Sequence, residues 1–224
     1  MNPVFNQLYT SYPELQACHQ DLQNAFLMLY KAFRQKRKLL ICGNGGSASD
    51  SQHIVGELMK GFRSQRPLPK ATRRLFEERL PVSGKFLADH LQGALPAISL
   101  SSHTALISAF TNDVSAEMVY AQQVYGYGRH RDVLLGISTS GNSANITRAA
   151  EVAKVIGLQT IGLTGEGGGK LSELCDITIR VPKTETYQVQ ELHLPVYHAL
   201  CMALEEAFFT EKKKKVKIHE SSRS

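Results

Sequence analysis

The chain has 224 residues, enough for one α/β domain with a full core and too few for two. Its 42% hydrophobic and 21% charged residues match soluble globular proteins and argue against disorder and fibrous repeats, and no apolar run approaches the ~18 residues of a membrane span. The net charge of +6 is mostly local: five Lys and Arg223 against Glu211 and Glu220 place +4 of it in residues 211–224, so the body of the chain is not a general nucleic-acid surface.

Residues 1–15 contain no basic segment followed by an apolar stretch, which gives no secretory signal and sets a cytoplasmic expectation. Residues 14–35 space Leu15, Leu22, Phe26, Leu29 and Phe33 mostly three or four apart, the stripe of an amphipathic helix that needs a partner. Residues 38–42 form a short apolar strand running into Gly43-Asn44-Gly45-Gly46-Ser47, after which 48–62 reads as helix. From 64 to 96 the pattern weakens under Pro67, Pro69, Pro81, Gly84 and Gly93, with a short charged helix at 72–80. This segment is expected as an excursion from the sheet, either a lid or an oligomer contact. A strand at 97–100 follows, and 132–137 is another apolar strand ending in Ser138-Thr139-Ser140-Gly141-Asn142-Ser143 before a helix over 144–156. Further strands fall at 160–163 and 177–181, with a glycine loop at 165–169 between them. The last helix, 187–209, contains Pro195, which lacks an amide hydrogen and is expected to bend or interrupt it.

Five strands with crossover helices predict an α/β three-layer sandwich around a five-stranded parallel sheet, a single domain over 1–210 followed by a disordered basic tail at 211–224. Cys18, Cys42, Cys175 and Cys201 show no close pairing, so reduced, mostly buried thiols are expected rather than a disulfide scaffold or zinc ribbon.

Two loops carry the chemistry. In Gly43-Asn44-Gly45-Gly46-Ser47, glycines allow a tight turn and let amides approach an anion, although such a loop is also simply how a strand reaches a helix. Ser138, Thr139, Ser140 and Ser143 cluster hydroxyls around Gly141 between a strand end and a helix start, where open amides and the helix dipole favour a phosphate. On the alternative reading Ser143 is only a helix cap. No Walker lysine and no G-x-G-x-x-G pattern is present, which points away from nucleoside triphosphates and NAD and toward a small phosphomonoester. His53 and Glu57, four apart on the helix leaving the first loop, share one face with metal-ligand spacing, an arrangement that is also common as a surface contact.

The C-G-N-G-G-S stretch followed by D-V-L-L-G-I-S-T-S-G-N-S resembles the sugar-isomerase (SIS) family, and within it the phosphoheptose isomerases, over about residues 21–209 apart from 64–96. The resemblance implies a sheet in flavodoxin-like order and a homotetramer with active sites between subunits. It implies an enzyme that converts sedoheptulose 7-phosphate to D-glycero-D-manno-heptose 7-phosphate for surface-polysaccharide precursors. The family pattern places the sugar phosphate on Asn44, Gly45, Gly46, Ser47, Asp113, Ser138, Thr139, Ser140, Ser143 and Gln190, and a zinc ion on His53, Glu57, Gln190 and His198. Independently of the family, Asn112-Asp113 could simply cap a helix. By helix rise Gln190 and His198 stand ~12 Å apart and His193 is the nearer partner of Gln190; the residue-for-residue match selects His198.

On the same resemblance, Glu57 is the base and His198 the acid of an enediol isomerisation. The chain departs from the family at Gly61, where a basic residue is usual and Arg63 and Arg66 are the nearby substitutes, and at Tyr187-Gln188, where an acid and a base are usual. A sister SIS group binds the bacterial replication initiator without catalysis and lacks the equivalents of Glu57 and His198. An isomerase for another sugar phosphate is the remaining alternative, with a nucleic-acid role confined to the basic tail.

Overall fold

The computed structural model describes residues 2–210, so the expectation for the 211–224 tail lies outside the described residues. Strands β1 (Leu39–Gly43), β2 (Ala97–Ser99), β3 (Val133–Ile137), β4 (Gln159–Thr164) and β5 (Ile177–Arg180) form one parallel sheet in the order β2-β1-β3-β4-β5. The order reverses between β1 and β3, whose register sets Gly43 opposite Ile137. An open parallel sheet takes its ligand beyond the strand ends at such a reversal, and the two loops of interest leave the sheet at this point.

β1 and β3 are buried at every position, as strands covered on both faces must be. Alternation sends Leu39, Ile41, Val133, Leu135 and Ile137 into one core and Leu40, Cys42 and Leu134 into the other. Each fully buried aliphatic side chain stabilises the sandwich by about 1.5–3 kcal/mol. The helices are α1 (Pro3–Ser11), α2 (His19–Arg34), α3 (Gly46–Met59), α4 (Lys70–Arg79), α5 (Gly84–His90), α6 (Thr104–Asp113), α7 (Val119–Tyr127), α8 (Ala144–Val155), α9 (Leu171–Leu174) and α10 (Thr186–Glu205). The first core is covered by α1, α2, α3 and α10, the second by α7, α8 and α9. The cysteines are free, with Cys18, Cys42 and Cys201 buried. Among the described residues no helix is long and apolar enough to cross a membrane.

Three elements differ from expectation. The helix expected over 14–35 is split into a 3-10 turn, Pro13–Cys18, and α2. Before it stands α1, opened by Asn2, whose side chain accepts from the Val4 amide at 2.9 Å, and by Pro3 in the first turn. Phe5 of α1 meets Phe26 of α2 edge-to-face at 5.9 Å and gives the predicted stripe its partner. Finally, α10 is not interrupted at Pro195 but runs on to Glu205 and a π-turn over Glu206–Thr210. Proline removes one helical hydrogen bond, and buried Val196, Tyr197, Ala199 and Leu200 hold the helix across the gap.

The 64–96 excursion is a hairpin of α4 and α5, closed at its neck by the Pro67–Gln92 bridge and by the Gly93 amide donating to Arg66 O at 2.7 Å. Arg66 is fully buried. Its guanidinium pairs with Glu205 at 2.9 Å and donates to the carbonyls of Leu58 and Glu57 at 2.7 and 2.9 Å, while Glu205 also accepts from the amides of Phe62 and Arg63. Burial alone would push the Glu205 carboxyl up; those two amides and the guanidinium outweigh it and hold the group below the usual range. The neck is thus fixed to the end of α3 and to α10. Beyond it α4 buries no residue, and Leu75, Leu80, Val82 and Phe86 are exposed.

Candidate active site

The first loop turns at Gly45, whose φ of +54° lies in the left-handed region that favours glycine, and hands directly to α3 with no side-chain cap. The second turns at Gly141, with φ +68°, so close to the 165–169 loop that a Cβ would stand 2.0 Å from Gly168 O. Ser143 occupies the cap position of α8 but does not cap it: its hydroxyl meets that of Ser138 at 3.0 Å. The cap-only reading of Ser143 therefore fails. Both helices present uncapped N-terminal amides at the sheet reversal, the arrangement that binds anions. Thr139 is half-buried and Ser140 exposed, its Oγ accepting from the Asn142 amide at 3.2 Å.

The two loops are joined through Asn44 and a partner the sequence reading did not single out, Asn145, and the first loop is held by another such side chain, Tyr120. Asn44 and Asn145 exchange amide hydrogen bonds of 2.9 and 3.0 Å, and the Tyr120 hydroxyl donates to Gly43 O at 2.7 Å. Asn145 follows Ser143 by two residues, and its place in the same polar run was the available signal. Gln190 reaches the cradle from α10: its amide packs so tightly on Gly46 that a Cβ there would meet Nε2 at 2.8 Å.

A second cluster gathers further along α3 and α10. His53 Nε2 is 3.1 Å from Glu57 Oε1, and its ring stands edge-on to His198 at 5.0 Å between centroids. Tyr197 places its hydroxyl 3.0 Å from His53 Nδ1 and 3.2 Å from Asp50 Oδ1. Glu57 Oε2 and His198 Nε2 are buried with no hydrogen-bond partner among the described residues, a costly state for polar atoms with only a structural role. Burial, aided by neighbouring His53 and opposed by Glu57, holds His198 below the ordinary histidine value, so it is neutral at pH 7.

Other expected residues lie elsewhere. Asp113 is exposed at the C-terminal end of α6, where it accepts from Asn112 and caps no helix start. Gln190 sits with the glycine loop, whereas His53 is seven residues and about 10 Å further along α3. His193, the nearer partner by helix spacing, is completely buried with both ring nitrogens unpartnered among the described residues, and burial lowers its pKa to about 4. Arg66, a nearby substitute for the family's basic residue, is consumed by Glu205 and the α3 carbonyls; the Arg63 side chain is exposed beside Met202.

As a metal seat the second cluster fits by chemistry. Imidazole and carboxylate are zinc donors, and Glu57 Oε2 and His198 Nε2 have no hydrogen-bond partner among the described residues, although Lys60 Nζ stands 3.9 Å from Glu57 Oε2. Its donors are not drawn together, since among the described residues no three His, Cys, Asp or Glu side chains converge as a metal-holding group.

Comparison with known proteins places this architecture. Residues 87–165 match the SIS domain family. The chain is 39% identical to the phosphoheptose isomerase of a Nitratiruptor species, over 84% of this chain and 86% of that protein, and 38% identical to that of Rhodospirillum rubrum, over 85% and 87%. The solved phosphoheptose isomerase of Francisella tularensis superposes with a TM-score of 0.70 at 28% identity, covering 90% of this chain and 94% of that one. For the enzyme of Neisseria gonorrhoeae the TM-score is 0.65 at 28% identity, covering 90% and 98%. With its sheet order, its paired anion loops and this extent of identity, the chain belongs to the phosphoheptose isomerase family.

Proposed function

We propose that the protein is a cytoplasmic aldose-ketose isomerase that converts sedoheptulose 7-phosphate to D-glycero-D-manno-heptose 7-phosphate, supplying surface-polysaccharide precursors. Family membership supports the substrate, and the buried Glu57 Oε2 and His198 Nε2, both close to His53 and both without a hydrogen bond among the described residues, carry the chemistry. The phosphate would lie on the uncapped starts of α3 and α8 with Gly45, Gly46, Ser47, Ser138, Thr139, Ser140 and Ser143, and Asn44, Asp113 and Gln190 would meet the sugar hydroxyls. Glu57 takes a proton from C1 of the ketose and returns it to C2, while His198 moves the proton between O1 and O2.

His53, Glu57, His198 and Gln190 would hold a zinc ion, which supplies Lewis-acid polarisation of the carbonyl oxygen. A carboxylate that ligates a metal is a weaker base. In Glu57 the two oxygens differ, Oε1 facing His53 and Oε2 without a hydrogen bond and 3.9 Å from Lys60 Nζ, so the two duties can fall on different atoms.

The family resemblance further supports a homotetramer with sites between subunits. The His53 side chain is 44% exposed, and α6 buries no residue of its own, features suited to completion by neighbouring copies. Gln190 stands with the cradle, so this reading takes the cradle and Gln190 from one copy and His53, Glu57 and His198 from another.

The test is turnover of sedoheptulose 7-phosphate by wild type and by Glu57→Gln. The variant is expected to fold normally and lose about 10²–10⁴-fold in kcat. Full activity in the variant would remove Glu57 as base. Faster turnover of another ketose phosphate would move the substrate, and initiator binding without any turnover would favour the non-catalytic sister group.

A further inference from the structure

The Tyr197 hydroxyl sits between two partners, 3.0 Å from His53 Nδ1 and 3.2 Å from Asp50 Oδ1. Its ring is nearly completely buried, edge-on to His53 and to His198 at 5.5 and 5.0 Å between centroids. Asp50, His53 and Glu57 follow one another at three- and four-residue spacing along one face of α3, so the polar chain runs Asp50, Tyr197, His53, Glu57.

Counting hydrogens gives this chain a direction. A phenol has a single hydrogen, and an ionised carboxylate only accepts. The hydroxyl therefore donates to Asp50, and its oxygen accepts from His53 Nδ1–H. In the neutral form of its ring, His53 then carries no hydrogen on Nε2, which faces Glu57 Oε1, another acceptor, at 3.1 Å. Two lone pairs at that distance repel unless a proton or a metal ion lies between them. A bare Nε2 beside a carboxylate is thus a pair of electron donors facing each other, and the nearest cation, Lys60 Nζ, stands 3.9 Å from the other carboxylate oxygen, Glu57 Oε2, rather than between them.

We propose that Asp50 and Tyr197 are positioning residues that fix His53 as the Nδ1-protonated tautomer and turn its Nε2 lone pair toward Glu57, where a divalent cation is held. Hydrogen bonding to the remote imidazole nitrogen sets the tautomer and orientation of a ligand histidine in this way. Neither residue needs to touch the sugar. The inference rests on the zinc reading given above, and its test separates the two.

Nitrogen NMR of the metal-free protein labelled at histidine, with His53 assigned by comparison with His53→Gln, reads the tautomer without any variant of the relay. At pH 8 the wild type is expected to show a pyrrole-type Nδ1 and a pyridine-type Nε2. Tyr197→Phe, which keeps the ring and removes the hydroxyl, is expected to give a tautomer mixture and to weaken zinc binding about 10–100-fold in competition with a chromophoric chelator. Asp50→Ala is expected to act in the same direction. A bare Nδ1 in a wild type that nonetheless binds zinc and isomerises the sugar would overturn this inference alone. So would unchanged tautomer and zinc affinity in a folded Tyr197→Phe. The expected tautomer in a protein that neither binds zinc nor turns over sedoheptulose 7-phosphate would overturn the metal reading and leave the hydrogen-bond assignment standing.

Discussion

His193 and His198 lie five residues apart on α10 and do different work because their surroundings differ. His198 is half-buried beside Glu57 and His53, while His193 is sealed between α10 and the sheet. Burial lowers the His193 pKa from 6.5 to about 4. Between those two values the unfolded chain binds a proton that the folded chain refuses. Stability from this residue is therefore complete above about pH 6.5 and is lost as the pH falls toward 4, by up to roughly 3 kcal/mol. Urea unfolding of wild type and His193→Leu across that window should show a slope in the wild type that is flatter in the variant. Residue types and spacing made His53 and Glu57 candidates in the sequence, whereas His198 came from the family resemblance, against a spacing that favoured His193. Asn145, Tyr120, Asp50 and Tyr197 were not candidates, because each acts through a neighbour distant in sequence, as Tyr197 does toward Asp50.

At the scale of elements, the five strands were legible to within two residues because continuous apolar runs ending in glycine or hydroxyl loops have few other readings. The start of the chain was harder. In α1 only Val4, Phe5 and Leu8 are buried, a short signal for a helix that exists by packing on α2 and α10. Pro195 does not interrupt α10, since tertiary packing outweighs one lost backbone bond. The hydroxyl loop itself depends on the backbone contact of Gly141 with Gly168. In Gly141→Ala, steric overlap and a left-handed φ act together, so a loss of about 2–4 kcal/mol is expected, with weaker substrate binding in what remains folded. Thermal melting and the KM for sedoheptulose 7-phosphate check both parts.

For the whole molecule, the proposed division of the site between copies has a direct readout. Glu57→Gln keeps an intact cradle and Ser138→Ala/Ser143→Ala keeps an intact Glu57, so each variant alone is impaired. If the two halves come from different copies, mixed and reassembled tetramers regain about a quarter of their sites with both halves wild type. No recovery on mixing would place the cradle and Glu57 of a working site in the same chain.

In the proposed assembly, one helix would tie oligomerisation to backbone behaviour. α6 fully buries none of its side chains, packing only Ile107 and Phe110 partly against the second core, and it ends on Asp113, an acid at the terminus where the helix dipole disfavours negative charge. Its internal hydrogen bonds have little to shelter them within one subunit. Deuterium uptake by residues 104–113 should therefore slow as protein concentration rises and quicken on dilution, while β1 and β3 stay unchanged. A helix held to its own subunit by only a few partly buried side chains would then serve as an intrinsic gauge of how many copies have come together.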